Sequence, residues 1–166
     1  RGAVGYSGFA GEVAGEKKNF AMGSYRFTAD GAKLEFLHQF SNNTWGYGAN
    51  DAGDSFGGTA NNAPIFFGGI PATAWAKGSR GMSAKRINLV DKAHTITPNF
   101  RQVDVMGGWT AAAGSTFIYS AQLPSRLQGK AMVCEPTMKL IGLMDVQPDG
   151  AGYVAKDGFS LVASSD

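Results

Sequence analysis

The chain has 166 residues, about one domain's worth, and its 43% hydrophobic and 17% charged residues supply a packed core and exclude wholesale disorder. Its net charge of +2 comes with only short basic clusters, Lys17-Lys18 and Lys85-Arg86, which is too mild to argue for a nucleic-acid partner. The single cysteine, Cys134, excludes an intrachain disulfide and a haem or thiolate-zinc motif in this segment, and no apolar run approaches the roughly 20 residues of a membrane span.

Residues 1–18 are rich in Gly and Ala, weakly patterned, and read as a loop. NFAMGSYRFT (19–28) reads as a strand, ADGA as a tight turn and KLEFLHQF (33–40) as the return, with Asp30-Gly31 as the hairpin signal. Leu34 and Phe36 alternate with Lys33 and Glu35, and the pattern then slips at Leu37, which marks one wet face and a bulge. TWGYGAN (44–50), the turn DAGD and SFGGTAN (55–61) repeat the strand, turn, strand sentence. The segment 71–110 has no clean period of either kind, and irregular segments of this length are usually functional insertions.

Beyond it, GSTFIYSA (114–121) and GKAMVCEP (129–136) read as strands. KLIGLMDV, the turn QPDG, AGYVAK, a second turn at Asp157-Gly158 and FSLVASS follow. The 24 glycines, about twice the usual share, fit such a turn-rich chain better than a helical one. Short strands between Asp-Gly or Ala-Gly turns predict an all-β, antiparallel fold: a sandwich, a barrel or a propeller. The chain opens at Arg1 without an initiator Met and stops in mid-pattern, so it reads as a piece of a longer polypeptide; no signal-peptide pattern lies within it.

Three phrases together carry a resemblance: FSNNTWGYGANDAGDSFGGTANNAPIFF, GGWTAAAGSTFIYSAQLPSRLQGKAMVCEP and MDVQPDGAGYVAKDGFSLVASSD. They resemble the β-propeller domain of the membrane-bound dehydrogenases of Planctomycetes and Verrucomicrobia, the PVC-type haem-binding proteins. That propeller is similar to the glucose/sorbosone dehydrogenase type, and the matching text covers residues 19–67 and 94–166. The resemblance implies a partial six-bladed β-propeller of about two to three blades, at about 40 residues a blade. The blade strands would fall in 19–70 and 111–166, with 71–110 as the insertion. It implies a quinoprotein-like sugar or alcohol dehydrogenase using PQQ and calcium. Electrons would pass to a cytochrome c domain of the same longer chain, in the periplasm or cell envelope. The alternative is a non-catalytic propeller that binds a carbohydrate or a protein in the envelope.

Propellers bind ligands on the loops at strand ends, which singles out particular residues. His94 in KAHTITPN is the candidate general base, against a plain loop histidine. Asn42, Asn43, Asn61 and Asn62 carry amides that can hold sugar hydroxyls or quinone carbonyls, against turn and cap duty. Trp45 and Trp109 can stack on a sugar ring or flat cofactor, against packing between blades. Arg101 and Thr110 complete the candidate cofactor set, and Glu135 is a candidate calcium ligand, against a strand-end carboxylate. His38 reads as a structural or solvated strand residue, and Asp51 and Asp54 as parts of a hairpin turn rather than a calcium loop. No phosphate loop, Rossmann fingerprint or G-x-S-x-G occurs, so phosphoryl transfer, nicotinamide chemistry and serine hydrolysis have no support.

Overall fold

The computed structural model describes residues 2–4, 8–13, 16–20, 22–40, 43–75, 84–90, 92–99 and 105–165, the stretches up to residue 20 as backbone alone. The described residues form strands joined by turns, with two short 3-10 segments, Ala72–Ala74 and Ser125–Leu127, and no α-helix. Every pair of neighbouring strands runs antiparallel, as the turn chemistry predicts.

The first five strands are β1 (Gly2–Val4), β2 (Gly8–Val13), β3 (Glu16–Phe20), β4 (Gly23–Phe27) and β5 (Leu34–Gln39). β2 and β3 pair as a hairpin, and β1, β4 and β5 form a three-stranded sheet in that order. The loop expected over 1–18 is therefore corrected to strands at 2–4, 8–13 and 16–18. β1 takes its partner from β4, some twenty residues on, so no local pattern announces it. The single strand expected over 19–28 is divided between β3 and β4, which belong to different sheets.

The β4–β5 turn closes as its sequence dictates. Gly31 N–H donates to Thr28 O at 3.0 Å, and Ala32 N–H donates to the Asp30 carboxylate at 3.0 Å. The expected bulge is present: Ser24 faces His38 and Tyr25 faces Phe36, which leaves Leu37 as the extra residue. The bulge puts two successive side chains inside, and Leu37 and His38 are both buried. His38 is thus structural, with its Nδ1 3.0 Å from the Ser24 hydroxyl.

A four-stranded sheet follows in sequence order: β6 (Thr44–Ala49), β7 (Ser55–Thr59), β8 (Phe66–Phe67) and β9 (Lys85–Arg86). β7 is buried along its whole length. β9 falls inside the segment expected to be an irregular insertion, and two exposed basic residues give no strand signal. A second four-stranded meander is built from β10 (Ala113–Phe117), β11 (Ala131–Glu135), β12 (Leu140–Asp149) and β13 (Gly152–Ala163). Asp157-Gly158, expected as a turn, is a bulge within β13: Met144 faces Asp157 and Leu143 faces Phe159, leaving Gly158 over.

The two four-stranded sheets pack face to face. Phe56, Ile65 and Ile87 of one side meet Ala131, Val133, Met138, Leu140, Met144 and Ala155 of the other in one cluster. Glycines on β6 let β10 come close: a Cβ at Gly46 would lie 2.4 Å from Ser115 Oγ. β1 in turn lies against β6, so the first strands of three sheets stand side by side. At the far rim, residues 87–89 pair in parallel with β13: Ala155 N–H donates to Ile87 O at 2.8 Å and Leu89 N–H to Ala155 O at 3.0 Å.

The β6–β7 turn is tied to β13 by a polar network. The Tyr153 hydroxyl donates to Asp54 Oδ2 at 2.5 Å, Asn50 Nδ2 donates to the same hydroxyl at 3.1 Å, and Asp54 N–H donates to Asn50 Oδ1 at 2.8 Å. Asp54 is thus a turn residue, in line with the hairpin reading. The Asp54 carboxylate that accepts the phenol proton pushes the Tyr153 pKa above its ordinary 10.0, and burial adds to the effect. A raised folded-state value means that the contact contributes stability below pH about 10, which is lost as pH rises through that value. In thermal melts at increasing pH, wild type should lose stability above pH about 10 more steeply than Tyr153→Phe. Parallel curves would show that the network is energetically silent.

Candidate functional site

Four of the candidate residues meet in one cavity. Asn43, Trp45, Asn61 and Thr110 line a space of about 400 Å³ together with Ala60, Ala111 and Ala113. Three chain segments supply them: the start of β6, the loop leaving β7, and the loop entering β10. Backbone bonds hold the segments in place. Ala60 N–H donates to Asn43 O at 2.9 Å, Ala112 N–H to Ala60 O at 3.0 Å, and Asn62 N–H to Trp109 O at 2.8 Å.

The period of a strand explains the disposition of Trp45. Thr44 and Gly46 point into the core, so Trp45 between them points out, and it is 55% exposed. An exposed indole that is fixed on a strand beside amide and hydroxyl groups offers a flat apolar surface with hydrogen-bonding neighbours. Among the described residues the lining contains no titratable side chain. Ala60, Ala111 and Ala113 carry no chemistry that a sequence reading would flag; the one signal is the small-residue run Ala111-Ala112-Ala113, whose first and last members leave room beside Trp45.

Glu135 has a different task from the one expected. Its carboxyl group is fully buried, and Oε2 accepts the N–H groups of Thr110 and Ala111 at 2.9 Å each, while Oε1 accepts that of Thr137 at 3.1 Å. The side chain shapes the loop that forms one wall of the cavity. With both oxygens engaged by backbone donors, Glu135 is corrected from metal ligand to loop clamp. The described residues contain no group of three or more His, Cys, Asp or Glu side chains placed to hold a metal ion.

The remaining candidates separate from the cavity. Trp109 is 2% exposed and belongs to the core, where a Cβ at Gly142 would lie 2.6 Å from its ring. Its packing role replaces the expected stacking role. Asn62 sits in the left-handed region at φ 61°, and its carbonyl accepts bonds from the Arg86 guanidinium at 3.0 Å and Asn88 Nδ2 at 3.4 Å, which is turn duty. His94 pairs through Nε2 with Asp157 of β13, and its carbonyl accepts the Ser160 hydroxyl at 2.9 Å. β13 and β10 are opposite edges of their sheet, roughly 14 Å apart at the usual strand spacing, so His94 is not a base for this cavity. Arg101 and Asn42 lie outside the described residues.

The implied cofactors can be tested against these groups. PQQ is a polycarboxylate quinone and calls for cationic side chains, and the cavity lining presents none among the described residues. Calcium calls for several free oxygen ligands, and both oxygens of Glu135 already accept backbone N–H groups. Neither group is matched by the described residues that meet here, and Arg101, the cationic candidate, lies outside them.

The fold and its cavity define an antiparallel all-β domain whose strand-end loops form a neutral, aromatic-edged pocket. A family model described as a domain of unknown function, DUF7133, matches residues 2–166, and the chain belongs to that family. No curated protein and no solved structure matches it.

Proposed function

We propose that the domain is a carbohydrate-binding part of a β-propeller and that the Trp45 cavity holds a neutral sugar ring. The observation that carries this reading is the exposed Trp45 face beside Asn43, Asn61 and Thr110 in one cavity whose described lining has no titratable side chain. Sugars present apolar C–H faces that stack on an indole and hydroxyls that pair with amides, and neutral ligands need no counter-charge. The propeller reading draws on two successive four-stranded meanders whose first strands neighbour each other and that of the β1 sheet. On this reading the chain supplies two to three blades of a six-bladed ring in the periplasm or cell envelope.

The test is binding of a neutral-oligosaccharide panel by calorimetry, with Trp45→Ala beside wild type. We expect affinity to fall about tenfold or more on loss of the stacking surface. Stability should change by only about 0.5 kcal/mol, because the side chain is more than half exposed. Wild type and variant binding alike would remove Trp45 from the site. Turnover of a sugar or alcohol in a dye-linked assay with added quinone and calcium would replace the binding reading with the dehydrogenase one.

A further inference from the structure

A second cleft, about 500 Å³, is lined from β8, β9 and the β12–β13 turn and shares no residue with the Trp45 cavity. Its volume is in the range of small-molecule sites, roughly 300–1,000 Å³. Phe67, Ile70, Ile87 and Tyr153 make its apolar body, with Phe67 and Tyr153 packed edge to face at 4.9 Å between ring centres. Gly68, Gly69 and Gly152 keep its walls thin.

Two charges of opposite sign stand on its rim. Lys85 comes from β9, where it pairs with Phe67, and Asp149 comes from the end of β12, across the β12–β13 turn. The ion pairs among the described residues are Arg26–Glu35, His94–Asp157 and Lys130–Asp145, so among these residues Lys85 and Asp149 form an ion pair neither with each other nor with a third group. An apolar cleft whose lining also carries an ammonium and a carboxylate is complementary to a ligand with the reverse pair of charges and an apolar body.

We propose that this cleft binds a small apolar zwitterion, a free α-amino acid with an aromatic or branched side chain. The ligand carboxylate faces Lys85, its ammonium faces Asp149, and its side chain lies against Phe67 and Tyr153. The inference is independent of carbohydrate binding at Trp45.

The experiment titrates the whole chain with L-phenylalanine, 3-phenylpropionate and phenethylamine, following the tyrosine and phenylalanine ring signals by NMR. L-Phenylalanine should bind saturably and about tenfold more tightly than either single-charge analogue. Lys85→Met should weaken L-phenylalanine about tenfold and leave phenethylamine unchanged, and Asp149→Asn should weaken it similarly and leave 3-phenylpropionate unchanged. Gly152→Val should block all three, since a Cβ there meets Phe67 at an ordinary 3.6 Å and the added methyls enter the cleft. Sugar binding at Trp45 should persist in every variant, which separates failure of this site from failure of the other. Absence of saturable L-phenylalanine binding, equal affinity for the three ligands, or indifference to both charge substitutions would each overturn the proposal.

Discussion

Glu135→Ala should destabilise the domain by about 3–5 kcal/mol, because it leaves the N–H groups of Thr110, Ala111 and Thr137 without their acceptor. Glu135 is fully buried, so water reaches these donors poorly, and the penalty is that of desolvated, unpaired groups rather than of a lost surface bond. For a chain of this length the midpoint of thermal unfolding should fall by roughly 6–20 °C. Glu135→Gln keeps one acceptor oxygen but turns an NH₂ donor toward a backbone donor, and should fall between the two. The loop that loses its anchor also carries Thr110 and Ala111, so sugar affinity should fall with stability in both variants. A Glu135→Ala protein that melts within a degree or two of wild type would show that the three N–H groups find other partners.

Trp109→Ala should cost a similar amount, about 3–5 kcal/mol, by emptying the centre of the main cluster. Its value lies in the comparison with Trp45→Ala. One tryptophan is 2% exposed and the other 55%, so the first should govern stability with no direct contact to ligand, and the second ligand affinity with little change in stability. Chemical denaturation and calorimetry on the two variants give the four numbers needed. If Trp109→Ala were as stable as wild type, the packing between the two four-stranded sheets would have to lie elsewhere.

The pair also illustrates where a sequence reading reaches its limit. Trp45 and Trp109 stand in similar surroundings in the text, each beside small polar residues and glycine. What separates them is non-local: Trp109 packs on Gly142, some thirty residues on, while Trp45 follows the in-out alternation of its own strand. Local rules performed well where the information was local. Asp30-Gly31 and Asp51–Asp54 are hairpin turns, and the slip at Leu37 is a bulge. They failed where pairing is long-range, as for β1, or where a strand is two exposed residues long, as for β9. The dipeptide Asp-Gly makes a turn at 30–31 and a bulge at 157–158, because β12 offers β13 a continuous partner there and no partner change forces the chain to reverse.

The candidate site follows the same division. The sequence pointed to Asn43, Trp45, Asn61 and Thr110, which do meet, since strand-end loops with polar and aromatic residues are where such folds place ligands. It misassigned Glu135 because a carboxylate at a strand end looks the same whether it faces solvent, a cation or three amides. It grouped His94 with the others because an irregular segment gives no indication of which sheet edge it will reach.

The parallel pairing of residues 87–89 with Ala155 has a consequence for how the protein behaves in company. β13 is 12 residues long and forms the border of its sheet, the kind of strand that recruits copies of itself into fibrils. Here a strip of the chain's own backbone occupies that border near its start, at Ala155, and the irregularities at Gly158 and Leu161 break the straight run beyond it. This 12-residue border is thereby interrupted near its start and again at its two bulges, so the molecule guards it with a segment that its sequence gives no reason to regard as structured.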